Sequence, residues 1–495
     1  DANTTGGDNN AFGRNALGVN TTGTGNTAMG HGALDANTTA DNNTGFGTNV
    51  LSDNTTGHSN VAVGYRALFD NTTANNNTAV GFSALLSNTT GTRNVGMGAF
   101  ALEVNTTGDD NVAIGGGTDG VSFAALESNT TGSKNTALGN SALGANTTAS
   151  NNTAVGYAAL LDNTTASNNT AIGKDALKSN TTGDQNVAVG GQSTDANTTG
   201  IRLTAIGFES LTANTTGNNN TAVGHTALAA NTTGSQNVSV GYNSGVAITT
   251  GNNNTIVGTD AGNQITTSSS NTAVGFDALT RCTIGGSNTC VGFEAGDNIT
   301  TGSANTCVGI EAGTNITQGD NNVCIGNATE TSGEAVANCI TIGHNISTAA
   351  ANTFSFGKAS NVVSNTFTSN ATFTRSSDIN KKTNIEDTDL GLSFINELRP
   401  VTFNWKPNSE FPTHFEDYSE TENHMDTETN LYGMIAQDVE KALNKVGHKN
   451  FGGWSQAEDG SQHLAQGMFI YPLINAVKEL SAQVEELKAK LNEGE

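Results

Sequence analysis

The chain has 495 residues, among them 60 glycines, with only 5% aromatic and 13% charged residues; this is the composition of a fibre rather than of a string of globular enzymes. A formal net charge of -25 argues against nucleic acid or an anionic membrane surface as the main partner. No apolar run approaches the ~20 residues of a membrane helix, so membrane insertion is not expected.

Twenty glycines form one column: Gly13 to Gly115 in steps of seventeen residues, then, after one step of 24, Gly139 to Gly343. Each closes a pentapeptide close to NTAVG, and the full unit reads NTAVGxxALxxNTTGxx, matched without departure by Asn77 to Arg93. Fixed self-similarity over this length means stacked coils. Position four is always bulky and apolar (Met29, Phe46, Val63, Val80) and position nine is usually Leu (Leu34, Leu51, Leu68, Leu85). Two short strands per coil are expected, each sending one large side chain into a narrow core. Position three is small almost throughout, which suggests close approach to another backbone. The glycine suits a corner of positive φ, and the Asn of NTTG suits left-handed geometry at the opposite corner. Asp1 falls inside a repeat, because Asn3 to Gly6 already reads NTTG; a piece of a longer polypeptide is expected.

Two departures stand out. The step of 24 implies a loop of about seven extra residues around Gly116 to Ser122, read as a tolerated insertion. From about Asn237 the second half of the unit changes, placing Ile248, Ile265, Ile299 and Ile316 where the turn Asn stood. A change of cross-section is expected there.

The repeats resemble the heads of trimeric bacterial adhesins, which are left-handed parallel β-rolls, and look still more like phage tail-fibre shafts. This resemblance covers roughly residues 1 to 345 and implies a trimeric shaft. Chains that each coil alone would give about 95 Å of stacked strands, and interleaved chains about 290 Å. Separate rolls around a threefold axis are the expectation.

The chain changes character near residue 370: all four prolines and both tryptophans follow residue 399, and eleven of the twenty Lys and Arg residues lie in this shorter part. Here SSDINKK (376–382), GLSFINELRPVTFNWK (391–406) and YGMIAQDVEKAL (432–443) follow in order. These segments resemble the intramolecular chaperone domain at the C-terminus of endosialidase tail spikes and other phage fibres. The resemblance implies a domain that trimerises the fibre upstream and then cuts itself off. On the matching positions Ser377 is the nucleophile, Lys382 its base and the Ser376–Ser377 bond the cleavage site. A desolvated Lys with a lowered pKa can take the hydroxyl proton. Asn380 stands where that family often has Arg.

In the tail, Ile470, Leu473, Val477, Leu480, Val484, Leu487 and Leu491 alternate three and four residues apart, the seam of a trimerising coiled coil. An amphipathic helix docked on its own domain is the alternative. Cys290, Cys307 and Cys324 fall at position three of successive coils and read as small buried thiols in place of Ala. The eight histidines have no zinc-site spacing, so neither metal nor cofactor is expected. The many NTT sequons are explained by their turns without sugar.

Together these readings give a mainly β protein. A parallel β-roll or β-solenoid shaft of 17-residue repeats (1–357) leads through a neck (358–375) to a small α+β chaperone domain (376–468) and a C-terminal coiled-coil helix (469–495). The expected function is a homotrimeric phage tail fibre, located on the virion and facing a host-surface glycan or protein receptor. Its only catalysis would be self-cleavage. The alternative is a microbial cell-surface adhesin or extracellular fibre built from the same repeats.

Overall fold

The computed structural model describes residues 2–118, 122–348, 350–359, 361–366, 377–415, 418–421, 423 and 425–492. The chain forms two compact units, Asp1–Arg375 and Ser376–Glu495.

The first unit is a parallel β-solenoid. Among the described residues, nineteen three-residue strands run from Asn10–Phe12 to Val323–Ile325, one in each coil. Every strand pairs in parallel and in register with the strand of the next coil of the same chain, as in Thr170↔Val187 and Ile172↔Val189. Each coil therefore closes on its own chain. The 24-residue step leaves this register intact, with Val112↔Thr136 and Ile114↔Leu138. The insertion falls between Gly115 and Ala125, whose N–H still bonds to the Gly115 carbonyl at 3.0 Å. Within it Thr118 and Ser122 form an antiparallel bridge, and residues 119–121 of the expected loop lie outside the described set.

From Asn10 to Val308 only one strand forms per coil, not two, a second short strand appearing only at Thr329–Glu330 and Ile346–Ser347, and the bulky residue at position four does not enter the core. Side chains alternate across a strand, so only position three faces inward: Ala79, Ala137 and Ala171 are fully buried, whereas Leu138 is 45% exposed and Ile172 41%. Inside, Leu at position nine fills the space, from Leu34 to Leu228. The segment that carries it is a series of turns in which the leucines themselves are left-handed, as at Leu85 (φ 52) and Leu143 (φ 52). That backbone costs an L-residue roughly 1–2 kcal/mol, and burial of a Leu side chain returns a similar amount. The other left-handed positions are seven and seventeen of the unit, as at Ser83 and Asn76. The Asn of NTTG, expected there, is not left-handed.

That Asn builds an internal ladder instead. Asn37 Nδ2 donates to Asn20 Oδ1 of the preceding coil at 2.8 Å and to the Ala40 carbonyl at 3.1 Å. A second ladder runs through the Asn that opens each unit: Asn43 N–H donates to Asn26 Oδ1 at 2.9 Å, and its Nδ2 donates to the Gly57 carbonyl at 2.8 Å. These amides are fully buried, and each buried polar group needs such partners to avoid an uncompensated desolvation cost. The glycine column is explained by both backbone and space. Gly139 has φ 134, and a Cβ there would lie 2.6 Å from the Gly156 carbonyl oxygen of the next coil.

The strand register continues unbroken where the repeat changes. Gly245, Gly262, Gly296 and Gly313 replace Leu at position nine in the same coils in which Ile248, Ile265, Ile299 and Ile316 replace Asn at position twelve. All four isoleucines are fully buried. The isoleucine refills the volume that the missing leucine leaves.

The second unit is small and mixed. It contains a short helix α1 (Leu392–Ile395), an antiparallel pair Pro400–Phe403 with Leu431–Met434, and α2 (Ala436–Lys445). A hairpin, Trp454–Gln456 with Gln462–Leu464, and a long helix α3 (Ile470–Asn492) complete it. Leu390, Phe394, Val439, Ala442, Leu443 and Phe469 form its core.

Candidate functional site

At the start of the second unit a single 3-10 turn, Ile379–Lys381, folds the chain back on itself. Asp378 caps that turn: its Oδ1 accepts from the Asn380 N–H at 2.8 Å and from Asn380 Nδ2 at 2.9 Å. The Lys382 N–H closes the turn on the Ile379 carbonyl at 3.1 Å. As a result residues five apart meet, and Lys382 Nζ donates to Ser377 Oγ at 2.6 Å. Asn380 therefore has a local task, holding the carboxylate that caps the turn. Ser376, the other side of the expected scissile bond, lies outside the described residues.

Both Ser377 and Lys382 are exposed in the single chain. The geometry suits a nucleophile and its base, whose side chains must lie within about 2.6–3.2 Å. A donating ammonium is nevertheless the wrong protonation state for a base. A lysine serves as a base only after giving up its proton, a change that burial or a neighbouring cation favours in general.

The other two motifs meet across the domain. Arg399 in the middle of one holds Asp438 in the other, Nη2 to Oδ2 at 2.7 Å, and Lys445, just past the second, reaches Glu397 Oε2 in the first at 2.7 Å. The Arg399 guanidinium, helped by Lys441, keeps the Asp438 carboxyl below its ordinary range. These ion pairs link α2 to the segment that leads into the Pro400–Phe403 strand. An open cavity of about 420 Å³ lies between the strand pair and the hairpin, walled by Phe403, Trp405, Met434, Ile435 and Leu464; no sequence motif points to it.

α3 docks on its own unit through a different face from the expected seam. Pro472 and Ala476 are buried, Asn475 Nδ2 donates to the Thr388 carbonyl at 3.1 Å, and Glu479 Oε2 accepts from the Leu392 N–H at 2.8 Å. This leaves Ile470, Leu473, Val477, Leu480, Val484, Leu487 and Leu491 all exposed, from 41% at Val484 to 75% at Leu491. The two alternatives for this helix are therefore not exclusive: one face docks and the other is open.

The five cysteines are free and buried. Cys290, Cys307 and Cys324 stack in register across three strands. Among the described residues no cluster of His, Cys, Asp and Glu could hold a metal ion, and no helix is long and apolar enough to cross a membrane. The Asn of each NTT sequon from Asn20 to Asn231 is buried, so these sequons are structural elements of the coil.

No curated protein and no solved structure matches the chain. Residues 377–448, a stretch that opens on Ser377, match the model of the Peptidase S74 family, described as the chaperone of endosialidase. The chain thus joins a β-solenoid of 17-residue coils to a C-terminal domain of the endosialidase-chaperone type, a type that implies self-association into trimers.

Proposed function

We propose that the chain is the subunit of a homotrimeric fibre of the phage tail type, carried on the virion, whose C-terminal unit brings three shafts together and then leaves. The observation that carries this reading is the family match at residues 377–448, in a chain whose earlier part holds nineteen coils of one repeat. Uniform coils pose a physical problem, because a slip of one whole coil between chains preserves almost every contact. A clamp that trimerises first sets the register, and its removal afterwards traps the fibre kinetically.

Release would proceed at the turn around Ser377. Its Oγ adds to the Ser376 carbonyl carbon while Lys382 Nζ, neutral at that moment, accepts the hydroxyl proton. The proton passes to the Ser377 nitrogen as the C–N bond breaks, and water hydrolyses the resulting ester. In the exposed single chain Lys382 has nothing to strip its water, so trimer contacts that cover the turn would couple cleavage to assembly.

Denaturing gels with mass spectrometry of the purified full chain test this. A C-terminal fragment beginning at Ser377, absent in Ser377→Ala, is the expected result. A Ser377→Ala chain still cut at this bond would refute the assignment of the nucleophile.

A further inference from the structure

We infer that the strand face of the solenoid is a packing surface for further copies of the same solenoid. This rests on the trimer reading above and adds where the shafts touch. Positions two and four of each unit, the two ends of its strand, point outward, and none of the nineteen strands contains a charged residue. Position four presents Met29, Phe46, Met97, Leu138, Ile172, Ile206 and their equivalents, many of them 36–45% exposed. Together they make an apolar stripe that recurs in register from coil to coil, and an extended exposed apolar patch marks an interaction surface.

Three features select a second copy as the occupant. First, the stripe repeats at the coil step of about 4.8 Å, and a partner with the same step meets it in every coil. Second, the chain carries a net charge of -25, so like copies repel each other except along an uncharged face. Third, several rings beside the stripe are stacked on one another: Tyr65 on Phe82 at 5.3 Å, Phe208 on His225 at 5.6 Å, His225 on Tyr242 at 5.4 Å and Phe276 on Phe293 at 5.5 Å. Stacked rings turn their faces to each other and only edges outward. That suits side-on packing against an apolar surface and not the stacking of sugar rings on an open aromatic face.

The test uses spin labels on the full chain, whose native thiols are all buried and so escape labelling. One label is placed at Lys174→Cys, beside the stripe, and another, in a separate sample, at Thr182→Cys on the Asn-Thr side. Mass is measured on the same samples. Particles of three chains with short interchain distances at 174 and distinctly longer ones at 182 are expected. Three-chain particles in which the 174 labels are as far apart as the 182 labels, or farther, would overturn the packing face while leaving the trimer intact. Particles of one chain would overturn both. A further full chain carrying Leu138→Lys, Ile172→Lys and Ile206→Lys should keep its β circular dichroism, since these sites are exposed in the coil, yet lose the short distances at 174. Unchanged distances in that variant would also overturn the proposal.

Discussion

Ile248 occupies the space above Gly245 that a leucine fills in earlier coils: a Cβ built on Gly245 would meet Ile248 Cδ1 at 3.0 Å and Leu228 Cδ2 at 3.4 Å. The exchange of Leu and Asn for Gly and Ile is thus one event at two positions. Ile248→Asn alone should destabilise the shaft by about 2–4 kcal/mol, since it empties a packed slot and buries an amide. Gly245→Leu alone should overpack the same slot and cost about 1–3 kcal/mol. The double variant restores the earlier repeat, and its amide can reach Asn231 Oδ1, a buried acceptor without a partner among the described residues. Chemical denaturation of the three variants should give a favourable coupling of about 1–3 kcal/mol; strict additivity would refute the compensation.

Cys282 offers a pH signature. It is buried, its Sγ–H lies 3.1 Å from the Gly285 carbonyl, and burial pushes its pKa from 9.0 up to about 11. The unfolded chain loses this proton near pH 9 while the folded chain keeps it to about 11, so stability falls as pH rises through that window. Reaction with a thiol reagent at pH 8 should be slow for all five cysteines and accelerate only on unfolding. A fast native phase would contradict the burial of the sulfurs.

The Arg399–Asp438 pair predicts the opposite sign. A carboxyl held below its ordinary value favours the folded state above that value, and the contribution disappears as pH falls through the folded pKa. Because the pair is largely exposed, the stability change should be small. The position of the titration is the sharper readout: carboxyl NMR should place Asp438 below 3.8 in the native chain and closer to 3.8 in Arg399→Gln. An Arg399→Gln chain whose Asp438 titrates unchanged would assign the shift to another cause.

Much of the solenoid was legible because the sequence states its period twenty times. The inside and outside of the strand were misjudged, since hydrophobicity alone favours the larger of two adjacent apolar residues for the core. The better signal was tolerance of size. Position four accepts Phe46, Val63, Val80 and Met97 in successive coils, and a core slot of fixed width could not. Position three departs to Ile only at Ile256, in a coil whose position nine is Gly262, so its size is coupled to the interior. The left-handed leucines were hidden because conformational preference argues against them and only burial outweighs it. At the other end, Ser377 and Lys382 were legible by resemblance alone. That Asp378 and Asn380 bend the chain to join them is a hydrogen-bond pattern no spacing rule conveys.

The open face of α3 yields the most direct test of assembly. Leu473, Leu480 and Leu487 are 49%, 49% and 66% exposed, while Pro472, Ala476 and Glu479 bind the helix to its own unit. Charge on the seam therefore spares the fold of a single chain and acts only between chains. Leu480→Asp with Leu487→Asp should leave the helical signal near that of the parent. Burying two unpaired carboxylates among apolar neighbours costs several kcal/mol per chain, enough to shift a trimer to monomers at micromolar concentration. If the self-processing site is completed only by trimer contacts, cleavage before Ser377 should fall in parallel with trimer content. Sedimentation and gel analysis of one dilution series would measure both. Monomers that still cleave at the parent rate would uncouple Lys382 from assembly, and trimers that survive both substitutions would remove the seam from the interface.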